Sequence, residues 1–462
     1  MVELCRIDNM NNKFRSNLKL RIAKLLNVFL LTFVFAQCWF LYYNYGIKDP
    51  FYFKGRMLLF SLYFCLYIIF GRVYDGFAIN LSSISDIIFS QFLAIGLTDF
   101  LMYIIICLLS AKIVNIVPGV ICLLVQTLAI CLWTYLAHKW YYEFNEAILT
   151  AIVYQDDDSL ETLIESYGLS KRFNVVKAVK INECKNDLSL LEDVKAIFIS
   201  DVHSGDRNVV LKYCVEKDIE VYAIPRVADV ILHGAHEVHL FHLPIYKVNR
   251  YMPQVEYLII KRFLDIVVSL LLLIITLPIT LITSVCIKCY DCGPIFYKQV
   301  RLTKDGKRFD ILKFRSMRVD AEKDGVARLS SGDKDDRITP IGRVIRKYRI
   351  DELPQLLNIL KGDLTLVGPR AERPEIAEEY CKTFPEFNLR LQAKAGLTGL
   401  AQVYGKYNTT PYNKLKLDLM YISNPNIIDD FKIILATIKI IFIPESTEGV
   451  SGDQTTALDK DE

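Results

Sequence analysis

Four apolar segments occupy the N-terminal third of the chain and restrict it to a membrane architecture. Each is close to the roughly 20 residues that a helix needs to cross a bilayer. Five basic residues lie between positions 13 and 24, just before the first segment, and favour a cytoplasmic N-terminus. We therefore predict a basic cytoplasmic N-terminus over 1–24 and four transmembrane helices within 25–140. The apolar segments lie at about 25–45, 56–73, 86–110 and 115–137.

Composition and charge narrow the functional classes. Apolar residues make up 52% of the 462 positions, a high share for a soluble protein, and the formal net charge is only +3, which argues against a nucleic-acid partner. The charge is unevenly distributed, however. Between Lys288 and Arg349 there are 17 lysines and arginines against 9 aspartates and glutamates. This segment favours anionic ligands. Most of the twelve cysteines lie in apolar runs, so we interpret them as reduced.

Residues 146–250 alternate strand-like and helix-like pieces, which predicts a cytoplasmic, Rossmann-like α/β module with a largely parallel sheet. A dinucleotide site would need a glycine-rich turn after the first strand. The turn here contains Asp156, Asp157 and Asp158, whose carboxylates would repel a diphosphate. We interpret the module as structural or regulatory. The polar tail over 444–462 is predicted to be disordered.

Residues 263–287 form a fifth apolar segment of nearly spanning length. If it crossed the bilayer, the basic segment after it would lie outside the cell. Pro278 removes a helix hydrogen bond near the middle, and lysines or arginines lie at both ends. A re-entrant helical hairpin that enters and leaves by the same face satisfies these observations. The alternative is a spanning helix with a proline kink.

Two stretches carry residues suited to phosphate binding. Residues 301–317 read as a hairpin around Asp305-Gly306, and on its second strand Lys313 and Arg315 should share a face. Later, Gly368-Pro369 ends a strand and presents Arg370, and the glycine-containing loop 395–403 includes Gln402. A solvated charged face is the simpler interpretation of any one of these residues, but together they could form a phosphate-binding cleft.

The adjacent carboxylates Asp351 and Glu352 allow two interpretations. Aspartate at a helix start is a favoured cap, and glutamate in the first turn complements the helix dipole. Alternatively, a carboxylate among arginines at the membrane edge could attack phosphorus while its neighbour holds a divalent cation. The nearby Arg370 favours the chemical interpretation, and a nucleophile that also caps the helix would satisfy both.

Four motifs resemble the bacterial polyprenyl-phosphate sugar-1-phosphate transferases, the monotopic phosphoglycosyl transferases. They read KRFLD, KFRSM, IDELPQLLNILKGDLTLVGPR and GLTGLAQVYGKYNTTPYNKLKLDLMYI. The resemblance covers about 260–443, and the preceding helices and α/β module are similar to the long form of the family. It implies a mixed α/β phosphoglycosyl transferase domain over 258–443, anchored by a re-entrant membrane helix over 263–287.

The resemblance also implies an activity. Such enzymes transfer a hexose 1-phosphate from a UDP-sugar to undecaprenyl phosphate at the cytoplasmic face of the inner membrane, and they release UMP. This step starts the repeat unit of an exopolysaccharide, capsule or O-antigen. Mg²⁺ is the expected cofactor and the lipid bilayer an expected partner. A homodimer and contacts with downstream glycosyltransferases are further expectations.

Carried over residue by residue, Asp351 matches the family's nucleophile and Glu352 the residue that binds magnesium, with Asp351 as a second candidate metal ligand. Pro278 matches the proline of the re-entrant helix. The remaining matches fall into two groups. The residues expected to bind substrate are Lys313, Arg315, Arg370, Gln402 and, more weakly, Arg301, and those expected to support the re-entrant helix are Lys261, Arg262 and Asp265.

Two departures from the family pattern are visible. Ala371 follows the arginine of VGPR and Ala395 precedes the glycine of the later loop, where family members commonly have proline. Both affect loop rigidity rather than reacting groups. Two other interpretations stay open. The carboxylate pair could hold a metal for direct attack by the lipid phosphate, or the protein could be a non-catalytic membrane scaffold for polysaccharide assembly.

Overall fold

The computed structural model describes residues 2–46, 53–155, 160–251, 253–319, 337–405 and 409–441. The chain forms two compact units, 1–224 and 225–462. The predicted end of the α/β module at residue 250 therefore lies within the second unit. The predicted disordered tail lies outside the described residues.

The first unit begins with four long apolar helices, as predicted. Ser83 caps the third by accepting a hydrogen bond from the Asp86 amide at 3.2 Å. Buried polar side chains join the helices, as where the Tyr67 hydroxyl donates to Asn27 Oδ1 at 2.8 Å. Each helix is long and apolar enough to cross a membrane. The helices are α1 (Val2–Cys38), α2 (Phe53–Val73), α3 (Ile84–Ser110) and α4 (Val117–Phe144).

A four-stranded parallel sheet follows in the same unit, in the order β2-β1-β3-β4. This confirms a mixed α/β region, but the order is that of flavodoxin-like sheets, so a Rossmann-like module is not confirmed. The central strand is fully buried over Ala151, Ile152 and Val153, as expected for a sheet covered on both faces. The elements are β1 (Ile148–Tyr154), α5 (Leu160–Ser166), β2 (Phe173–Lys180), α6 (Ile181–Asn186), β3 (Ala196–Ser200), α7 (Ser204–Glu216) and β4 (Glu220–Ala223).

The second unit starts with a short helix and an antiparallel hairpin, followed by the longest helix of the unit and a mixed α/β region. Two further strand pairs are present, β7 with β8 in antiparallel and β9 with β10 in parallel. The elements are α8 (Val227–His233), β5 (His236–Leu240), β6 (Leu243–Lys247), α9 (Val255–Asp291), β7 (Phe296–Leu302), β8 (Arg308–Phe314), α10 (Pro340–Lys347), α11 (Gln355–Lys361), β9 (Thr365–Val367), α12 (Pro374–Thr383), β10 (Gly396–Thr398), α13 (Leu400–Tyr404), α14 (Pro411–Ser423) and α15 (Ile427–Ile441).

One hydrophobic core holds this mixed α/β region together. Buried side chains of α11, β9 and α14 meet in it, with Leu356, Ile359, Leu364 and Leu415 all at most 1% exposed. Asn358 ties α11 to β8, because its amide donates to the Asp310 carbonyl and accepts from the Leu312 amide. These contacts fix α11 and the turn before it against the strands.

Helix α9 is continuous through Pro278, so the predicted helical hairpin is not confirmed. Proline is tolerated in long apolar helices, where local adjustments satisfy the freed backbone groups. Both ends of α9 nevertheless pack on the same unit. Near its start, Asp265 contacts β9, and near its end Ile287 packs against Phe314 and Ile345. The middle of the helix, around Ile274 and Ile275, exposes apolar side chains.

Candidate active site

The two adjacent carboxylates lie in a short 3-10 turn, Ile350–Glu352, between α10 and α11. Arg349 enters this turn in the left-handed region at φ 53°, which is uncommon for a residue other than glycine. The Glu352 amide donates to the Arg349 carbonyl at 3.2 Å and closes the turn. The turn therefore fixes the direction of both acidic side chains.

The interpretation of Asp351 as a helix cap is wrong. Helix α11 starts at Gln355, its N-cap residue is Pro354, and the N-cap makes no side-chain hydrogen bond. Asp351 lies instead in the 3-10 turn that precedes α11, four positions before the first residue of that helix.

Asp351 is almost fully buried, with 9% of its surface exposed. Burial raises the pKa of its carboxyl to about 6; the nearby Lys313 ammonium opposes this rise and the charge of Glu352 adds to it. Among the described residues, no side chain donates a hydrogen bond to this carboxyl or pairs with it. A desolvated carboxylate without such a partner keeps its lone pairs for an incoming electrophile.

Glu352 has the opposite character. Its Oε1 lies 3.1 Å from Lys313 Nζ, and its Oε2 lies 4.0 Å from Arg349 Nη1. Burial alone would raise the pKa of this carboxyl, but Lys313, Arg349 and Arg370 outweigh burial and lower the pKa to about 2. Glu352 is therefore ionised at every physiological pH.

A cleft that is open to solvent lies beside Glu352. It contains four of the five residues predicted to bind substrate and lacks the fifth, Arg315. Cations and backbone glycine at one site make a favourable environment for phosphate. The residues that line the cleft are Arg301, Ile311, Lys313, Glu352, Gln355, Arg370, Ala371, Gly396, Leu397 and Gln402.

Arg370 is presented by two closely apposed backbone segments. The Gly368 amide donates to the Thr398 carbonyl and the Gly396 amide donates to the Pro369 carbonyl, each at 2.8 Å. A Cβ atom on Gly396 would collide with the Gly368 backbone, so glycine is required at this approach. The Arg370 side chain is exposed and has no hydrogen-bond or ion-pair partner among the described residues. Its guanidinium is free to bind an anion.

A buried ion pair stabilises the backbone at Arg370. Arg390 donates to the Arg370 carbonyl at 2.9 Å, and the same Nη2 atom lies 2.6 Å from Asp418 Oδ2. Asp418 is 1% exposed, and burial raises the pKa of its carboxyl to about 6 although Arg390 opposes the rise. The pair was not predicted, because its partners are 28 positions apart: Arg390 lies outside the four motifs, and Asp418, although within the last of them, was assigned no role.

Arg301 and Gln402 each use some of their hydrogen-bonding groups in contacts within the protein. Arg301 donates to the Ala371 carbonyl at 3.0 Å and to Gln299 at 2.8 Å, and burial lowers its pKa to about 10, so it stays cationic. Gln402 donates from Nε2 to the Leu397 carbonyl at 3.1 Å, while its Oε1 is buried without a partner. This oxygen is an unused acceptor beside the cleft.

Arg315 is not among the residues that line the cleft, and its assignment to substrate binding stays a prediction. Its guanidinium forms a bidentate pair with Asp291 at the end of α9, and Nε donates to the Pro294 carbonyl at 2.8 Å. Strand β8 ends at Phe314, so the strand alternation that predicted a shared face with Lys313 does not extend to Arg315. Its role is to hold the end of α9.

The residues predicted to support the membrane helix connect the start of α9 to the unit. Lys261 pairs with Asp430 at 2.8 Å, and Arg262 donates to the carbonyls of Ile359 and Leu360 at the end of α11. Asp265 accepts hydrogen bonds from the Thr365 hydroxyl at 2.7 Å and the Leu366 amide at 3.0 Å. Pro278 is exposed within the helix.

Comparison with known proteins identifies the family of the second unit. The family model described as "Bacterial sugar transferase" matches residues 256–444. Over 192 residues the chain is 39% identical to the UDP-glucose:undecaprenyl-phosphate glucose-1-phosphate transferase of Caulobacter vibrioides, covering 40% of this chain and 71% of that protein. The chain belongs to the bacterial sugar transferase family.

Two further relatives match over a longer segment, or at a higher identity, than the Caulobacter protein. The UDP-N-acetylgalactosamine-undecaprenyl-phosphate N-acetylgalactosaminephosphotransferase of Aeromonas hydrophila is 34% identical over 241 residues, 52% of this chain and 56% of that protein. The galactosyl transferase CpsE of Streptococcus agalactiae is 42% identical over 198 residues, 41% of this chain and 43% of that protein. The matched segment thus spans about half the length of these two relatives, and the three names carry different sugars.

The donor set fits the magnesium ion expected of this family member. The described residues contain no group of three or more His, Cys, Asp or Glu side chains that could enclose a metal. Mg²⁺, however, is commonly bound by one or two carboxylates together with substrate phosphates and water. Glu352, ionised and facing the cleft, supplies such a hard oxygen ligand, and Asp351 is adjacent.

Proposed function

We propose that this protein transfers a sugar 1-phosphate from a UDP-sugar to undecaprenyl phosphate at the cytoplasmic face of the inner membrane and releases UMP. One arrangement carries the proposal: Asp351 immediately precedes Glu352, which lines a cleft together with Arg301, Lys313 and Arg370. Asp351 does not itself line this cleft, but the Lys313 ammonium is near enough to lower the pKa of its carboxyl, which has no side-chain partner among the described residues. A diphosphate needs cations of this kind, and phosphoryl transfer needs a nucleophile beside them.

The reaction would proceed in two displacements. A carboxylate oxygen of Asp351 attacks the β-phosphorus, the bond from that phosphorus to the bridging oxygen breaks, and UMP leaves with the electron pair. A phosphate oxygen of undecaprenyl phosphate then attacks the same phosphorus and releases the Asp351 carboxylate. The product is an undecaprenyl diphosphosugar. Each displacement exchanges one phosphorus–oxygen bond for another, so no redox partner is needed.

The individual side chains have distinct roles in this scheme. Arg370 and Arg301 bind the diphosphate and stabilise the charge that develops on departing UMP. Glu352 would hold Mg²⁺, which when bound neutralises phosphate charge. Gln402 Oε1 offers an acceptor for a donor group of the substrate. Asp351 reacts only when ionised, and its raised pKa makes it a more basic nucleophile than an ordinary aspartate.

The test is the variant Asp351→Asn in full-length protein, with UMP release from a panel of UDP-sugars as readout. We expect turnover to fall by at least about 10³-fold, in line with loss of a covalent nucleophile. Asp310→Asn is the matched control, because Asp310 is exposed on β8 and outside the cleft. Substantial residual turnover in Asp351→Asn would refute the covalent scheme.

A second measurement separates the covalent route from direct displacement. In the covalent route, labelled UMP exchanges into the UDP-sugar without any lipid acceptor. Direct attack by undecaprenyl phosphate allows no such exchange. A scaffold would behave differently again, because a catalytically dead variant would restore glycan synthesis in cells that lack the protein.

We further propose that α9 is re-entrant and keeps the catalytic unit on the cytoplasmic side. The support is that both ends of α9 are fixed to one unit, by Asp265 to β9 and by Asp291 to Arg315, while the apolar middle is exposed. A helix crossing the bilayer would need its ends on opposite sides. A tag inserted at Lys298 and detected from outside intact cells would contradict this topology.

A further inference from the structure

The Glu352 carboxylate has a counter-ion before any metal binds. Lys313 Nζ lies 3.1 Å from Oε1, and the two side chains are 22% and 18% exposed, so water screens the pair only partly. A divalent cation bound to the same carboxylate would be repelled by an ammonium at this distance. Metal binding therefore requires Lys313 to move away from Glu352.

The cleft offers Lys313 a second anion. Lys313 lines the same cavity as Arg301 and Arg370, where the proposed diphosphate binds. Its four-carbon stem is flexible and its ammonium makes point-charge contacts without a fixed geometry. A small rotation of the side chain would exchange a carboxylate partner for a phosphate partner and leave the local charge compensated.

We propose that Lys313 is a resident counter-ion that occupies Glu352 in the empty site and transfers to the substrate diphosphate when the divalent cation binds. This inference rests on the proposed function, since it takes Glu352 as the metal ligand and the cleft as the diphosphate site. It adds a coupling between the two ligands. The metal weakens the hold of Glu352 on Lys313, and the diphosphate stabilises Lys313 in its new position, so each ligand tightens the binding of the other.

The experiment measures metal binding rather than turnover. Mn²⁺, alone or with UDP, is titrated into the full chain in detergent or nanodiscs, and free Mn²⁺ is followed by electron paramagnetic resonance. UDP carries the diphosphate but no sugar to transfer. The variants are Lys313→Met, Glu352→Gln and, as a matched control, Lys298→Met. Lys298 is exposed on β7, opposite Leu312 of β8.

We expect Lys313→Met to bind Mn²⁺ alone about five- to tenfold more tightly than the unmodified protein, because the competing ammonium is gone. The factor by which UDP tightens Mn²⁺ binding should fall by about threefold or more in this variant, because the transfer no longer occurs. Lys298→Met should change neither quantity by more than about twofold.

The outcomes separate this inference from the proposed function. Unchanged or weaker binding of Mn²⁺ alone in Lys313→Met would overturn the counter-ion role, and tighter binding with an unchanged UDP factor would overturn the transfer to phosphate. If Glu352→Gln binds Mn²⁺ as well as the unmodified protein, the metal assignment in the proposed function is wrong. If that variant loses Mn²⁺ while Lys313→Met shows no gain, only the present inference fails.

Discussion

The raised pKa of Asp351 predicts how the first chemical step depends on pH. Only the ionised carboxylate can attack phosphorus, and burial raises its pKa from 3.8 to about 6. Because the pKa is raised, the reactive form is lost as pH falls through about 6. Between pH 7 and pH 5 the ionised fraction should drop from about nine tenths to about one tenth, so the rate should fall roughly tenfold.

The assay must avoid other groups that titrate in this range. Phosphate monoesters have a second pKa near 6, so undecaprenyl phosphate would obscure the result. Single-turnover UMP release without lipid acceptor, with Mg²⁺ present and UDP-sugar well below saturation, reports the first displacement and the ionisation of the protein before the diphosphate binds. A diphosphate that is esterified at both ends carries no such ionisation.

Lys313→Met provides the internal control. The Lys313 ammonium lowers the pKa of Asp351, so its removal should shift the midpoint of the pH profile above that of the unmodified protein, whatever the absolute rate. A carboxyl with an ordinary pKa near 4 would lose less than about a tenth of its ionised form over the same interval. A rate that changes by less than twofold between pH 7 and pH 5 would therefore refute the reasoning.

Three further predictions concern positions around the site. Asp265→Ala removes a buried acceptor from the Leu366 amide and should lower the free energy of unfolding by about 2 to 4 kcal/mol. The control Asp310→Ala changes an exposed residue and should alter this free energy by less than about 0.5 kcal/mol. Both are measured by denaturant titration in detergent. Arg390→Met leaves Asp418 buried and unpaired and should cost about 3 to 5 kcal/mol in the same assay; adding Asp418→Leu should recover part of the loss, and no recovery would contradict the pairing. Arg370→Met should raise the KM for the UDP-sugar by about 10- to 100-fold without changing the melting temperature. Arg315→Met should lower the melting temperature and leave that KM unchanged. The reverse pattern would show that Arg315, and not Arg370, binds the substrate.

Much of the fold was predictable because its signals are local. A helix that crosses a membrane needs a run of apolar side chains, and such runs are visible in the sequence without any tertiary information. The cluster of Arg301, Lys313, Arg370 and Gln402 was predictable for a different reason, since each belongs to a stretch that we interpreted as part of one phosphate-binding cleft.

The structure differs from the sequence-based expectations where a tertiary contact decides the partners of a side chain. Arg315 is a cation two positions after Lys313, a spacing that suits a phosphate ligand, but its guanidinium pairs with Asp291, 24 positions earlier in the sequence. Strand alternation predicts which face a side chain lies on only while the strand continues. The Asp351 cap failed for a related reason, because the left-handed Arg349 inserts a 3-10 turn that no propensity scale predicts for arginine.

The two carboxylates differ because their neighbours differ, and this difference supports the roles that we propose for them. Glu352 has a cation near each oxygen and stays charged, which suits its proposed role as a metal ligand. Asp351 is buried, and no side chain of the described residues pairs with its carboxyl, so its lone pairs stay free. Its raised pKa makes the carboxylate more basic. If the order of the pair were reversed, the group in the buried position would be one carbon longer and would approach phosphorus from a different point, so even a conservative Asp351→Glu change should impair the attack.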